Sequence, residues 1–234
     1  MIGTIVNCIA IVIGGVIGNL LKNGLKERYK EIITHALGLS VMFVGISTAI
    51  KGLLNEQANP LLFIICLVLG ALIGEWLKIE VRLAKLGDYM ESKLSKSSNI
   101  SQSFVTSSLI FCVGTMSILG SIDSALRDDH TTLFIKSILD GTLSVILASS
   151  LGLGVVLSAA SVLVYQGSIT IFASALLPII TNDSLREMGI IGGILVTVIG
   201  LNLLKITKIK VGNLLPSVFI PIIYYLPYIQ SLFP

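Results

Sequence analysis

The chain has 234 residues, of which 54% are hydrophobic and only 12% charged, and its mean hydropathy is +0.95. Soluble domains carry about 25% charged residues, so this composition excludes an ordinary soluble protein. The net charge of +3 is modest, and its distribution along the chain is more informative than its sum. The apolar runs are continuous and do not alternate with polar residues, which excludes a transmembrane β-barrel.

Apolar runs of transmembrane length recur along the chain and predict an all-α polytopic transmembrane helix bundle, a single integral membrane domain over 1–234. Spans are expected at 3–21, 32–50, 60–77 and 104–122, then two within 131–182 and one at 189–204. A proline-containing run at 214–226 is a further candidate. We expect about seven crossings, with about six or eight as the alternatives.

Basic residues concentrate in three polar segments, 22–30, 78–99 and 205–210. Short basic loops mark the cytoplasmic side of a membrane protein, so all three are expected inside and the N-terminus outside. Segment 78–99 also carries leucines and valines at helical spacing beside its charges. This pattern predicts a cytoplasmic amphipathic linker that lies on the membrane surface.

Two stretches of the chain resemble each other. The sequence GGVIGNLLK at 14–22 matches GALIGEWLK at 70–78, and each is followed by a basic loop and a glycine-containing span. Residues 1–54 and 58–128 are therefore candidate parallel repeats of a two-span unit. A third, weaker candidate copy begins at Gly192, where Gly193 and Gly200 repeat the seven-residue spacing of Gly38 and Gly45. Such internal symmetry is typical of transporter cores, although chance similarity among glycine-rich helices is the alternative.

Residues 131–204 form the candidate core, and glycines interrupt it repeatedly. Interrupted helices expose backbone polar groups, which a membrane tolerates only where they line a cavity. We expect broken helices in this core, with the tetrapeptide Tyr165-Gln166-Gly167-Ser168 as the candidate for a turn or break.

The most unusual residues of the core are Lys136 and Asp140, the two charges between Asp129 and Asp183. Their spacing of four places both side chains on one face of a helix. A lone charge near the middle of a span costs at least about 2.5 kcal/mol, so such groups are paired, neutralised or used. A functional site is the hypothesis, and a purely structural ion pair is the alternative.

Other polar residues are expected at the same depth in apolar spans: Asn7, Ser117, Gln166 and Asn202. Amide and carboxylate oxygens can replace the hydration shell of a cation, and a buried lysine competes for the carboxylate when the ion is absent. We therefore predict that Asp140 is the central cation or proton site, with Lys136 as its counter-ion. Asn7, Gln166 and Asn202 would supply neutral ligands, with Ser117 at the same depth.

Three aspartates, Asp123, Asp128 and Asp129, cluster where the outer mouth is expected and would concentrate cations there, unless they form only a solvated acidic loop.

Gly14 and Gly18, like Gly70 and Gly74, form GxxxG pairs that let helix backbones approach closely. This packing takes place either within one chain or between copies of it.

Recognised catalytic motifs are absent, and the longest polar segment, about 22 residues, is too short for a catalytic domain. Cys8, Cys66 and Cys112 lie far apart within apolar runs, so neither a disulfide framework nor a metal site is expected. We expect no enzyme activity, no cofactor, no metal centre and no nucleic-acid partner. The expected partners are the lipid bilayer, a small cation and further copies of the chain.

Several motifs resemble those of one family: Cys112-Val-Gly-Thr-Met-Ser, Lys136-Ser-x-x-Asp140-Gly, Gly152-Leu-Gly-Val, Tyr165-Gln-Gly, Gly200-Leu-Asn-Leu-Leu and Val211-Gly-Asn-Leu-Leu-Pro. The chain is similar over its whole length to domain-of-unknown-function family 554, the YqgA/YdfK-like bacterial membrane proteins. The resemblance implies an inner-membrane location, a sodium channel or pump and a link to biofilm formation. Thr115 departs slightly from the family pattern, which favours a bulkier residue or proline there.

The sequence thus leads to two hypotheses. The first is a transporter or channel for a small cation, driven by ion gradients or passive because no ATPase motif is present. The alternative is a non-transporting scaffold or signalling protein in which the pair of Lys136 and Asp140 is structural. Transport requires water to reach Asp140, whereas the scaffold keeps the pair dry.

Overall fold

The computed structural model describes residues 1–22, 24, 26–94 and 100–226, and every regular element in these ranges is helical. The main helices are α1 (Ile2–Lys22), α2 (Glu27–Leu53), α3 (Pro60–Leu77), α4 (Ile79–Leu94), α5 (Ile100–Cys112), α6 (Thr115–Leu126), α7 (Thr131–Leu151), α8 (Gly154–Ile171) and α10 (Asn182–Leu203). Shorter elements are α9 (Ala173–Leu176), α11 (Val211–Leu214), a 3-10 turn (Leu215–Val218) and α12 (Ile220–Tyr224). The predicted all-α polytopic fold is confirmed.

Six of the described helices, α1, α2, α3, α7, α8 and α10, are long and apolar enough to cross a bilayer. Helices α5 and α6, which meet at a bend of 62°, pass the same test only when they are taken together as one broken span, which would be the seventh. The short helices within 211–224 form a further apolar segment. These crossings agree with the number expected from the sequence.

Helix α1 packs along α7, and both glycines of its GxxxG pair lie against the backbone of α7. A Cβ atom on Gly14 would overlap the carbonyl oxygen of Gly141, and one on Gly18 would overlap that of Val145. The contacts advance together along both helices, because Gly3 lies against Leu133, so α1 and α7 run parallel. The GxxxG pair of α1 is therefore used within the chain.

The glycines of α2 and α10 form a second backbone contact, in which the helices run antiparallel. A Cβ on Gly45 would overlap the backbone of Gly193 and Thr197, and Gly38 lies against Gly200 and Leu204. The seven-residue spacing noted in the sequence thus brings the two helices together, glycine to glycine.

The second GxxxG pair packs on a different partner. A Cβ on Gly70 would overlap Ser217 of the 3-10 turn, and one on Gly74 would overlap the carbonyl oxygen of Asn213 in α11. Asn213 also accepts a hydrogen bond from the backbone N–H of Glu80 at 2.7 Å and donates one to Glu75 at 2.5 Å. These bonds attach α11 to the junction between α3 and α4.

Within the predicted linker 78–99, helix α4 occupies 79–94, and residues 95–99 lie outside the described part of the chain. The helix exposes Val81, Leu86 and Tyr89. This exposure agrees with an amphipathic helix.

The helix directions place the ends of the bundle on two faces. The N-terminal face carries the start of α1 and the connections α2–α3, α6–α7 and α8–α10. The basic face carries α4 and the lysine-rich segments after α1 and α10. All three basic clusters therefore lie on one face of the bundle, as the charge pattern predicted.

The break predicted at residues 165–168 is wrong, because α8 is continuous from Gly154 to Ile171. Glycine alone does not end a helix that has packing on both sides, and Gly167 is buried. The chain turns instead at Gly152, whose φ of 93° favours glycine, and the broken span is α5–α6. Helices α7, α8 and α10 of the candidate core are each continuous, and the interruption lies outside 131–204, at residues 113–114 between α5 and α6.

Candidate functional site

Lys136 and Asp140 form a buried ion pair midway along α7. The Nζ atom of Lys136 lies 2.7 Å from Oδ2 of Asp140, and the two side chains are only 10% and 9% exposed. A pair with this little solvent gains much of its stability from mutual neutralisation, because either charge alone would be uncompensated. The predicted contact on one helical face is present.

Asn7 of α1 and Gln166 of α8 extend this pair into a network. The amide Nδ2 of Asn7 donates to Oδ2 of Asp140 at 3.0 Å and makes a longer contact of 3.5 Å with Oε1 of Gln166. Gln166 in turn lies 3.5 Å from the hydroxyl of Ser117 on α6. The side chains of Asn7, Gln166 and Ser117 are fully buried.

Five of the six predicted site residues thus meet at one place, where α1, α6, α7 and α8 come together. Both hydrogen bonds that the structure gives to the carboxylate of Asp140 reach the same oxygen, Oδ2. Its other oxygen, Oδ1, is therefore the atom that has coordination capacity to spare.

Three further hydroxyl groups surround this network, and the sequence analysis missed them. Thr4, Ser121 and Ser144 are fully buried, and their oxygens find no hydrogen-bond partner among the described residues. Oδ1 of Asn7 is also without a partner in this part of the chain. The available signal was spacing, because each hydroxyl lies one helical turn from a network residue: Thr4 from Asn7, Ser121 from Ser117, and Ser144 from Asp140.

A cavity of about 320 Å³ adjoins the ion pair. Its walls come from α2, α7, α10 and the break between α5 and α6, and Ser117, Lys136 and Asp140 line it. A Cβ atom on Gly114, at the break, would meet no other atom within 4 Å. The broken span therefore provides open space beside the charged pair.

The cavity is polar mainly on the side of the ion pair. The hydroxyls of Ser40 and Thr48, which also line it, bond to carbonyl oxygens of their own helix at 2.9 and 2.8 Å. Valines, leucines and glycines form most of the remaining wall. An ion in this cavity would therefore meet its polar partners at α6 and α7.

Asn202 does not join the network. It lies in the last turn of α10, where its Nδ2 donates to the carbonyl of Ile209 at 2.8 Å. Its Oδ1 accepts from Thr207 at 2.6 Å and from the N–H of Ile209 at 3.1 Å. Asn202 closes the loop after α10 on the basic face, so the structure does not place it beside Asp140.

The three aspartates of the predicted mouth lie on the N-terminal face, Asp123 in the last turns of α6 and the other two in the loop to α7. Asp123 pairs with Arg127 at 3.1 Å, and Asp128 lies 3.3 Å from Nε2 of His130. The backbone N–H of Thr131 donates to Asp129 at 2.9 Å, and this bond holds the pKa of the Asp129 carboxyl below its usual value.

A second buried carboxylate, Glu187 of α10, was missed because it follows the polar residues Asp183 and Arg186 and resembles part of a loop. Its side chain is fully buried, and Oε1 accepts the N–H of Asn59 at 3.0 Å and lies 3.5 Å from Arg186. Glu187 thus fixes the α2–α3 connection to the start of α10 on the N-terminal face.

The fold and this centre define a multi-pass α-helical membrane protein with a charged pair and neutral amides buried among four helices. The chain belongs to the family described as protein of unknown function (DUF554), whose sequence profile matches residues 2–226.

Two relatives have been recorded as uncharacterized proteins. The uncharacterized membrane protein YdfK of Bacillus subtilis (strain 168) is 40% identical over 221 residues, which cover 94% of each chain. The uncharacterized protein YqgA of Escherichia coli (strain K12) is 30% identical over 226 residues, again 94% of each chain. No solved structure matches this chain.

Proposed function

We propose that this protein moves a small cation across the membrane through the site formed by Asp140 and Lys136. The observation that carries the proposal is the position of this pair, buried midway along α7 and lining a cavity at a broken span. Ionisable groups at membrane depth mark ion pathways in many transporters and channels. Broken helices at such sites provide backbone groups for ion coordination.

The ammonium of Lys136 neutralises the carboxylate of Asp140 when no ion is bound. An arriving cation would bind Oδ1 of Asp140 and draw on the amide oxygens of Asn7 and Gln166. The ammonium of Lys136 would then leave Oδ2, because two positive charges at one buried carboxylate repel each other. Either cation neutralises the carboxylate, and the centre as a whole stays close to neutral only when the displaced ammonium moves out to water, because an ammonium buried without its anion is costly.

The setting of this activity is part of the same proposal. We place the protein in the bacterial cytoplasmic (inner) membrane with the basic face inside and the N-terminal face outside, following the distribution of lysine and arginine. Movement of the ion is passive or driven by ion gradients. In a homo-oligomer, the contacts between copies would use the exposed apolar faces, because Gly14 and Gly18 already pack on α7.

The test is cation flux in proteoliposomes that contain the purified protein. Asp140→Asn keeps the size of the side chain and removes its charge, and we expect it to abolish flux. Ser137→Ala is the matched control on the same helix, because Ser137 is buried and bonds only to the carbonyl of Leu133 within its own helix. Unchanged flux of every tested cation in Asp140→Asn would refute the proposal.

The closeness of the pair favours a second candidate, a scaffold or signalling protein. Lys136 and Asp140 already neutralise each other within one helix at 2.7 Å, which needs no ion. If the protein is a scaffold or signalling protein, replacing both residues together by apolar ones should leave its scaffold or signalling activity unchanged. Transport predicts that the same double substitution is inactive even when the protein is folded.

A further inference from the structure

Three buried oxygen atoms without partners lie beside the ion pair or between it and the N-terminal face. They are Oγ1 of Thr4, Oδ1 of Asn7 and Oγ of Ser121, and no residue of the described ranges bonds to them. A buried polar atom left unsatisfied costs about 1–3 kcal/mol. Three of them in one region are therefore expected to have partners other than protein atoms.

Thr4 and Ser121 belong to one layer of the bundle, and Asn7 lies one helical turn deeper, at the level of the ion pair. Gly3, next to Thr4, and Gly120, next to Ser121, both lie against Leu133 of α7. Helix α1 starts at the N-terminal face and α6 ends there, so Thr4 and Ser121 are each one turn closer to that face than Asn7 and Ser117. The layer thus lies directly above the network of Asp140.

The hydroxyl of Thr4 bonds to no group of the described residues, although threonines in helices commonly bond to a carbonyl three or four residues earlier. Ser121 has such a carbonyl, from Ser117, but makes no bond to it. The hydroxyl of Ser121 is therefore free to bind another group.

A row of serines on α6 continues from this layer to the surface. Ser117, Ser121 and Ser124 are spaced by four and three residues, so they share one face of the helix, and all three are buried. The hydroxyl of Ser124 lies 2.8 Å from Nδ1 of His130. His130 contacts Asp128, whose side chain is 95% exposed.

We propose that this row, with Thr4 and Asn7 opposite it, is a water-accessible route from the N-terminal face to Asp140. Water bound there would complete the hydrogen bonds of the three unpartnered oxygens, which together offer the two to four polar partners that a buried water needs. That a cation uses this route rests on the proposed function. The hydration of the route is a separate property and is tested separately.

The test uses accessibility to silver ions, which are small monovalent cations that react with thiols. Cys8, Cys66 and Cys112 are first replaced by alanine, and Ser121→Cys is compared with Ile122→Cys, which is equally buried on the same helix. Silver ions are added from one side of sealed vesicles. The remaining free thiol is then measured with a fluorescent maleimide after unfolding in detergent.

We expect silver added at the N-terminal face to protect Ser121→Cys at least about tenfold faster than Ile122→Cys, because thiol reactivity follows access. Thr4→Cys, compared with Ile11→Cys, which is equally buried on α1, provides the same test if the variant in α6 does not fold. Equal protection within both pairs, or protection from the basic face alone, would overturn the route.

The two proposals fail in distinguishable ways. Protection of Ser121→Cys together with unchanged flux in Asp140→Asn would establish the route and refute cation transport through Asp140. Loss of flux in Asp140→Asn without protection of either cysteine would refute the route and leave the transport proposal standing.

Discussion

The ion pair of α7 allows a quantitative prediction by a double-mutant cycle. Lys136→Met leaves the carboxylate of Asp140 with Asn7 as its remaining hydrogen-bond donor, and Asp140→Leu leaves the ammonium of Lys136 without its anion. Both side chains are about nine-tenths buried, so solvent cannot compensate for the lost partner. Breaking such a pair costs about 3–5 kcal/mol of unfolding free energy for each single substitution.

The double substitution should cost far less than the sum of the single ones. If the two effects were independent, their sum would be about 6–10 kcal/mol. With both charges gone, the main unmet group is Nδ2 of Asn7, which loses its acceptor at 3.0 Å. An unsatisfied buried donor costs about 1–3 kcal/mol, and we expect the double variant to lose no more than this amount.

The measurement is reversible unfolding of the purified protein in mixed detergent micelles, titrated with a denaturing detergent. Ser137→Ala serves as the control, since its hydroxyl bonds within its own helix, and it should change the stability by less than about 1 kcal/mol. A double variant as unstable as the sum of the two single variants would show that the charges are not coupled. That result would contradict the mutual neutralisation of Lys136 and Asp140.

Three other substitutions test further contacts, the first two by the same unfolding assay and the third by the melting temperature. Asn7→Leu removes the donor to Asp140 and should cost about 1.5–3 kcal/mol, as expected for a hydrogen bond to a charged group; no loss would contradict the network. Gly14→Ala places a methyl group where a carbonyl oxygen of α7 lies and should cost about 1–3 kcal/mol, whereas Gly24→Ala in the loop has open space and should be neutral. Asp129→Ala should lower the melting temperature near neutral pH, and the difference from wild type should shrink as the pH falls below the usual pKa of aspartate, because the bond from Thr131 favours the ionised carboxylate. A difference that is independent of pH would exclude that bond as the cause.

The centre of the site was predictable because its residues contrast with their surroundings. Lys136 and Asp140 are charges in an otherwise apolar run, and their spacing fixes a common helical face. Asn7 and Gln166 are isolated amides in apolar spans. The rule that buried polar groups seek each other is enough to predict that such residues meet.

Residues near the ends of spans were harder to assign. Asn202 and Gln166 are similar amides in the sequence, yet one closes a loop and the other is buried at the centre of the bundle. The difference depends on where each helix ends, and helix ends are the least certain part of any assignment from sequence. Glu187 shows the opposite error, since the polar residues beside it made a buried carboxylate resemble part of a loop.

The location of the helix break also depended on packing. Glycines occur at 114, 152 and 167, and the sequence does not distinguish them. Gly167 continues a helix, Gly152 ends one and Gly114 lies at a 62° bend. Which glycine interrupts a span is decided by the neighbouring helices, and their arrangement is not a local property of the sequence.

The glycine contact between α2 and α10 constrains how these two helices can move. Gly38 and Gly45 face Gly200 and Gly193, a spacing of two helical turns on each side. Sliding one helix past the other by a single turn, about 5.4 Å, would bring bulky side chains against backbone, so no neighbouring register is available. Because α2 and α10 form one wall of the cavity beside Asp140, this contact restrains that wall, and we expect a change in the shape of the cavity to arise at the broken span.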